Sequence, residues 1–221
     1  MGHRAARSTI AKALKERGIP PSPDRPTPWS SFLRAHADVI AGADFFTAEV
    51  WTTRGLVTQH VFFVIDHLTR ATFVAGVTTN PDASLMAQIG RGLTDPFDGF
   101  LRAKRHLILD RDSKFPTQFK AILERAGVGV VRTAYQAPNM NAFAERWVRS
   151  VKRECFDRLV LIGEDHLRRV LAEYVAHYNA ARSHQGIGNE PIGGSTESTN
   201  GEVAASDRLG GLLKHYRRTA A

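Results

Sequence analysis

Three acids stand out for where they fall. Asp44 interrupts the apolar run "VIAGADFFTAEVW" (39–51), Asp110 closes "HLILD" (106–110), and Glu145 comes early in "APNMNAFAERWVRSVKREC" (137–155). A carboxylate inside or at the mouth of a buried strand is costly unless it is paired or holds a cation. Several carboxylates meeting in one cleft repel one another, and a divalent metal is the common relief. The chemistry such a set would support is metal-assisted hydrolysis or transfer. Each residue also has a plainer reading. A strand-end Asp serves as a turn or cap residue, and a Glu in the first turn of a helix favours the macrodipole. "LILDRDSKF" (107–115) offers two candidates, Asp110 and Asp112, for a turn, a cap or a metal site.

Glu145 lies about 200° around a helix from Phe143, away from the apolar stripe. Arg149 and Lys152, at i+4 and i+7, share its face, and Arg146 and Arg153 lie beside it. A carboxylate followed by cations along one face suits a phosphodiester held near a metal. The alternative is a solvated face with an i,i+4 Glu–Arg pair.

The elements that must position these residues follow from periodicity. Apolar and aromatic runs predict strands over 39–51, 60–69 and 70–79, the last two as an antiparallel hairpin. Short strands are expected at 106–110 and 128–134. Helices are expected from Asp82 as N-cap through 93, and over 116–127, which stops at Gly127. Two longer ones cover 141–159, with Phe143, Trp147, Val151, Cys155 and Leu159 at i, i+4 spacing, and 164–180. The order is three strands, then helix, strand, helix, strand and two helices, which is an α/β pattern with an antiparallel start and crossovers after it. Upstream, "RSTIAKALKER" (7–17) reads as a helix capped by Gly18, and Pro20, Pro21, Pro23 and Pro26 make a linker. Downstream, 186–207 has the composition of a linker and "RLGGLLKHYRR" (208–218) is a basic tail.

Composition narrows the partner. Thirty Lys and Arg against 22 Asp and Glu give a net charge of +8, which favours a polyanion such as nucleic acid. A single cysteine, Cys155, excludes an internal disulfide framework and cysteine-based zinc clusters, and makes a cytosolic location the default. No apolar run approaches the roughly 18 residues of a membrane span. No signal-peptide pattern opens the chain.

With these motifs in order, the sequence resembles the integrase catalytic core of bacterial insertion-sequence transposases related to retroviral integrases. The resemblance rests on "ADFFT" around Asp44, "LILDRDSKF" around Asp110, the segment around Glu145, and "YNAARSHQGI" (178–187). The last is similar to the family's Tyr-Asn-x-x-Arg-x-His signature. The 34 residues between Asp110 and Glu145 are close to the family's interval. Asp110 and Phe115 match the family's Asp and the Phe five residues later, so Asp112 stands where a glycine is common and is not expected to be a primary ligand. The resemblance covers roughly 28–192.

It implies an RNase H-like α/β fold, with a five-stranded mixed sheet flanked by helices. It also implies a catalytic and metal-binding triad of Asp44, Asp110 and Glu145, Mg²⁺ as cofactor with Mn²⁺ able to replace it, and two-metal phosphoryl transfer that cuts and joins DNA strands. Arg146, Arg149, Lys152, Arg153, Arg182 and His184 are the DNA-binding residues so implied; docking of the last helix is the other reading of Tyr178, Asn179, Arg182 and His184. Partners would be element-end and target DNA and further copies of the chain, with no membrane, in a bacterial cytoplasm at the nucleoid. The domains expected are 1–27, a remnant of a helix-turn-helix region with its linker; 28–185, the core; 186–207, a flexible linker; and 208–221, a basic tail. The competing functions are a metal-dependent nuclease on the same fold and a truncated or regulatory DNA-binding remnant of a transposase.

Overall fold

The computed structural model describes residues 7–18, 29–110, 112, 114–133, 141–184, 191–192 and 201–219. The proline-rich stretch after Gly18, the Pro138–Asn139 break and most of the 186–207 linker lie outside the described residues. The chain divides into two compact units, Met1–Phe32 and Leu33–Ala221. In the first, helix α1 spans Arg7–Glu16, and Gly18 follows it with φ +66°, the left-handed conformation that ends helices at glycine. Helix α2, Trp29–Ala35, straddles the boundary between the units and has no counterpart in the periodicity of the sequence.

The second unit is built on one five-stranded sheet. Its strands are β1 (Ile40–Thr52), β2 (Gly55–Asp66), β3 (Thr72–Thr78), β4 (His106–Leu109) and β5 (Gly129–Arg132), in the order β3-β2-β1-β4-β5. β1, β2 and β3 are antiparallel neighbours, while β4 runs parallel to β1 and β5 parallel to β4. The sheet is therefore mixed, as expected. β2 begins at Gly55, five residues before the apolar run that predicted it from 60. Its first residues alternate in burial and pair with the far end of β1, so the continuous apolar run marks only the part covered on both faces. Gly55, at φ +104°, makes the tight turn between the two strands.

Helices α3 (Ala83–Leu93) and α4 (Thr117–Arg125) cover one face of the sheet, and α5 (Ala142–Glu154) and α6 (Gly163–Ala180) the other. Asp82 caps α3 by accepting the Leu85 amide at 2.8 Å, as its position predicts. Strand alternation sorts the core. Ala41, Ala43, Phe62 and Val64 pack with Met86, Leu93, Phe119 and Leu123. Phe46, Ala48, Val50, Phe63 and Ile65 pack with Trp147, Val151, Leu171 and Tyr174. Trp147 anchors α5, its ring centroid 4.2 Å from that of Phe63. The apolar spacing that suggested one helix to 159 is interrupted at Cys155, after which Phe156–Arg158 form a 3₁₀ turn.

Residues that composition divided between linker and tail form a hairpin, β6 (Val203–Arg208) and β7 (Leu213–Arg218). Leu213 is buried in the α5–α6 core and Arg208 pairs with Glu173 of α6 at 2.8 Å. Charged residues conceal this hairpin in the sequence, since only one of its side chains is fully buried.

Candidate active site

Asp44 lies in the middle of β1 on the face that carries Phe46, Ala48 and Val50 toward α5. β1 and β4 are in parallel register from Ile40 with His106 to Gly42 with Ile108. Carried on by two residues, that register sets Asp110 beside Asp44, about 5 Å away across the strands and on the same face.

The loop after Asp110 is held from both ends. Asp110 Oδ1 accepts the Asp112 amide at 3.1 Å, a local turn that fixes the carboxylate at the start of the loop. Phe115, five residues beyond Asp110, is buried against Phe45 (5.4 Å between centroids), Phe62 (5.8 Å) and Phe119 (6.0 Å). The Asp-to-Phe spacing thus has a mechanical meaning: an aromatic plug fixes the far end of the loop. Asp112 accepts the Lys114 amide at 2.9 Å and pairs with the Lys114 ammonium at 2.5 Å. Those bonds make it a loop-forming residue.

Glu145 is exposed in the first turn of α5. Ala144, Trp147 and Val151 face the core, while Arg146, Arg149, Lys152 and Arg153 are exposed with Glu145 on the outer surface. Among the described residues no ion pair joins Glu145 to Arg149.

Electrostatics tie the acids together. Burial pushes the Asp44 carboxyl up to about 7; the Phe45 amide, donating to Oδ1 at 2.8 Å, opposes this, and the charges of Asp110, Glu145 and Asp112 push further up. The Asp110 carboxyl is raised as well, by burial first and by Asp112, against the Asp112 amide and Lys114. Asp44 and Asp110 are therefore brought together, with Glu145 at the rim and within electrostatic reach. Among the described residues no group of three acids, histidines or cysteines converges closely enough to hold a metal ion. The donors that face one another are hard carboxylate oxygens, the type suited to Mg²⁺ or Mn²⁺, and the protonation forced on Asp44 is what a bound cation would relieve.

Arg182 and His184, grouped with the DNA contacts in the sequence, have partners within the chain. Arg182 grips Glu154 at the end of α5 through its Nε and Nη2, the shortest contact 2.7 Å. His184 is buried, with Nε2 2.9 Å from the Tyr178 carbonyl. Asn179 reads the β3 backbone, donating to the Thr72 carbonyl at 2.9 Å and accepting the Thr72 amide at 3.0 Å. Tyr178 is buried against Trp147. All four signature residues thus dock α6. Periodicity did not single out Glu154, which also accepts hydrogen bonds from Ser150 (2.9 Å) and Tyr174 (3.1 Å). An unpaired acid at the C-terminus of a helix, where the dipole disfavours it, was the available signal.

Comparison with known proteins agrees with this fold. Residues 126–191 match the integrase core domain family. No functionally curated protein matches the chain. Among solved structures, a chain of the simian T-cell lymphotropic virus intasome, in complex with PP2A regulatory subunit B56 gamma, is similar at a TM-score of 0.51 and 11% identity, over 82% of this chain and 67% of that one. The HTLV-2 integrase catalytic core domain in complex with magnesium, in its trimeric form, gives 0.50 and 11%, over 69% of this chain and 92% of that one. No helix among the described residues is long and apolar enough to cross a membrane. The resemblance read from the motifs holds in the fold, an RNase H-like five-stranded mixed sheet flanked by helices like that of these integrase cores, and in the family match over residues 126–191.

Proposed function

We propose that this protein cuts and joins DNA strands as a DDE-type transposase of the insertion-sequence class, with Asp44, Asp110 and Glu145 as its catalytic and metal-binding acids. The observation that carries the reading is the parallel register of β1 and β4, which sets Asp44 and Asp110 on one face, with burial and the neighbouring acids raising the Asp44 carboxyl. A half-buried pair of carboxylates on neighbouring parallel strands, penalised by burial and by mutual repulsion, is destabilising in a structural role and useful for holding divalent cations. Bound Mg²⁺, with Mn²⁺ as a substitute, would supply nucleophile activation and stabilisation of the leaving oxygen. Asp44 and Asp110, fixed by β1, β4 and the Phe115 plug, provide the rigid part of the site. Glu145, exposed on the first turn of α5, completes it from the rim.

Arg146, Arg149, Lys152 and Arg153 run along the exposed side of the same helix and take the phosphate backbone of element-end or target DNA. Arg182 and His184 act on DNA through the helix they dock. Copies of the chain assemble on paired ends at the nucleoid, with residues 1–27, the linker 186–207 and the basic tail 208–221 as attachments to the core at 28–185.

The test is incubation of the protein with Mg²⁺ or Mn²⁺ and nicked or branched element-end DNA, beside Asp44→Asn, Asp110→Asn and Glu145→Gln. Joined products from the wild type alone support the reading. Cleavage without joining assigns a nuclease. DNA binding that is equal in all four proteins, without cleavage, assigns a regulatory remnant.

A further inference from the structure

Gly42 and Asp44 share a face of β1, one pleat apart. A Cβ atom at Gly42 would come within 2.5 Å of Asn141 Oδ1 and 2.9 Å of His67 Nε2. The missing side chain therefore lets two polar atoms, from the end of β2 and the start of α5, meet against the strand. Both residues are core-like, Asn141 being 5% and His67 1% exposed. Asn141 Nδ2 donates to the Ala43 carbonyl at 3.1 Å, which sets the amide's orientation and leaves Oδ1 facing His67. Neither Asn141 Oδ1 nor either ring nitrogen of His67 has a hydrogen-bond partner among the described residues. A buried acceptor and a buried potential donor that face each other across a glycine are costly unless they bond.

His67 is otherwise firmly placed. Its amide donates to the Ile40 carbonyl at 3.2 Å, its carbonyl accepts from the Arg70 guanidinium, and its ring meets Phe143 edge-on with centroids 5.0 Å apart. Burial, reinforced by Arg70, pushes the imidazole down to about 4, so it is neutral and has one N–H to give. Asn141 is the residue at which α5 begins, one helical turn before Glu145.

We propose that His67, as the Nε2–H tautomer, donates to Asn141 Oδ1, directly or through one water, across the space left by Gly42, and that Asn141 thereby ties the start of α5 to the backbone beside Asp44. His67 and Asn141 are then positioning residues that set where Glu145 stands. The effect on catalysis rests on the assignment of Glu145 above; the hydrogen bond does not.

The hydrogen bond is tested first, by nitrogen-15 NMR of histidine-labelled full-length protein, with His67→Phe identifying the resonance. The expected result is an Nε2–H tautomer whose proton is protected from exchange and whose shift moves in Asn141→Ala. An Nδ1–H tautomer, or a signal indifferent to Asn141→Ala, overturns the proposal whatever the protein does to DNA. Steady-state kinetics on nicked DNA then read positioning. His67→Phe and Asn141→Ala should each lower kcat roughly 10- to 100-fold with KM for DNA unchanged, as expected for a displaced catalytic group. The double variant should be no worse than the weaker single one. His67→Gln, which restores an N–H donor, should recover part of the loss. Multiplicative losses, or a change confined to KM, overturn the positioning role. An NMR result as expected together with an inactive wild type would sink the Glu145 assignment and leave the bond standing.

Discussion

Arg182 closes on Glu154 at 2.7 Å from 28 residues further along the chain, and the contact locks the end of α5 to the segment after α6. Trp147 and the face of α6 hold the middle of α5, and Asn141 holds its start on β1. The helix that presents Glu145 and its cations is thus fixed at three points, its start, middle and end.

If Arg182 docks a helix, Arg182→Ala should lower stability by about 1 kcal/mol in urea melts while the salt dependence of DNA binding keeps its slope. A shallower slope would return Arg182 to the DNA interface.

Glu154 should give a pH signature. Burial alone would raise its carboxyl, but the hydrogen bonds of Arg182 and Ser150 bring it below the usual range. A depressed acid contributes stability above its unfolded pKa and loses it as pH falls through the folded value. Glu154→Gln should therefore be less stable than wild type at pH 7, by about 1 kcal/mol, with the gap closing below the ordinary carboxylate range. A gap independent of pH would show that packing, and not the ion pair, is lost.

Asp44 should behave in the opposite sense. Its folded pKa of about 7 lies above the ordinary 3.8, so the native state keeps a proton that the unfolded chain has released. Stability falls as pH rises through that window. Without metal, Asp44→Asn should exceed wild type at pH 8 by about 2 kcal/mol and match it near the lower end of the window. Mg²⁺ or Mn²⁺ should raise the wild-type melting temperature at pH 8 and leave that of Asp44→Asn unchanged. Equal melting at pH 8 would remove the penalty, from burial first and then from the neighbouring acids, on which the metal-site reading rests.

The outer face of α5 is tested by salt. Arg149→Ala combined with Lys152→Ala should reduce the slope of log K against log salt by about 2, with no loss of fold, because both side chains are exposed. An unchanged slope would place DNA elsewhere.

The three candidate acids and the order of strands and helices along the chain were legible because their signals are local. An acid at the end of an apolar run, a Phe five residues on and a helix of fixed period are all readable within a dozen residues. The supports were not legible, because each joins positions far apart in sequence. Asn179 looks like a polar residue on the last turn of α6 until the Thr72 backbone is set against it. Gly42 looks like a small residue in a strand until Asn141 and His67 arrive. The β6–β7 hairpin escaped notice because charge dominates a pair of strands whose exposed faces outnumber their buried ones.

The three-point fastening of α5 also sets an order in time. A chain emerging from the ribosome completes β1 and β4, and so brings Asp44 and Asp110 together, well before Arg182 has been made. Until that arginine appears, the far end of the helix lacks its ion pair and is held to α6 by the Tyr174 hydroxyl on Glu154. Domains assemble as their residues emerge. A half-made polypeptide therefore carries the candidate acids before the Arg182–Glu154 pair that braces α5 can form.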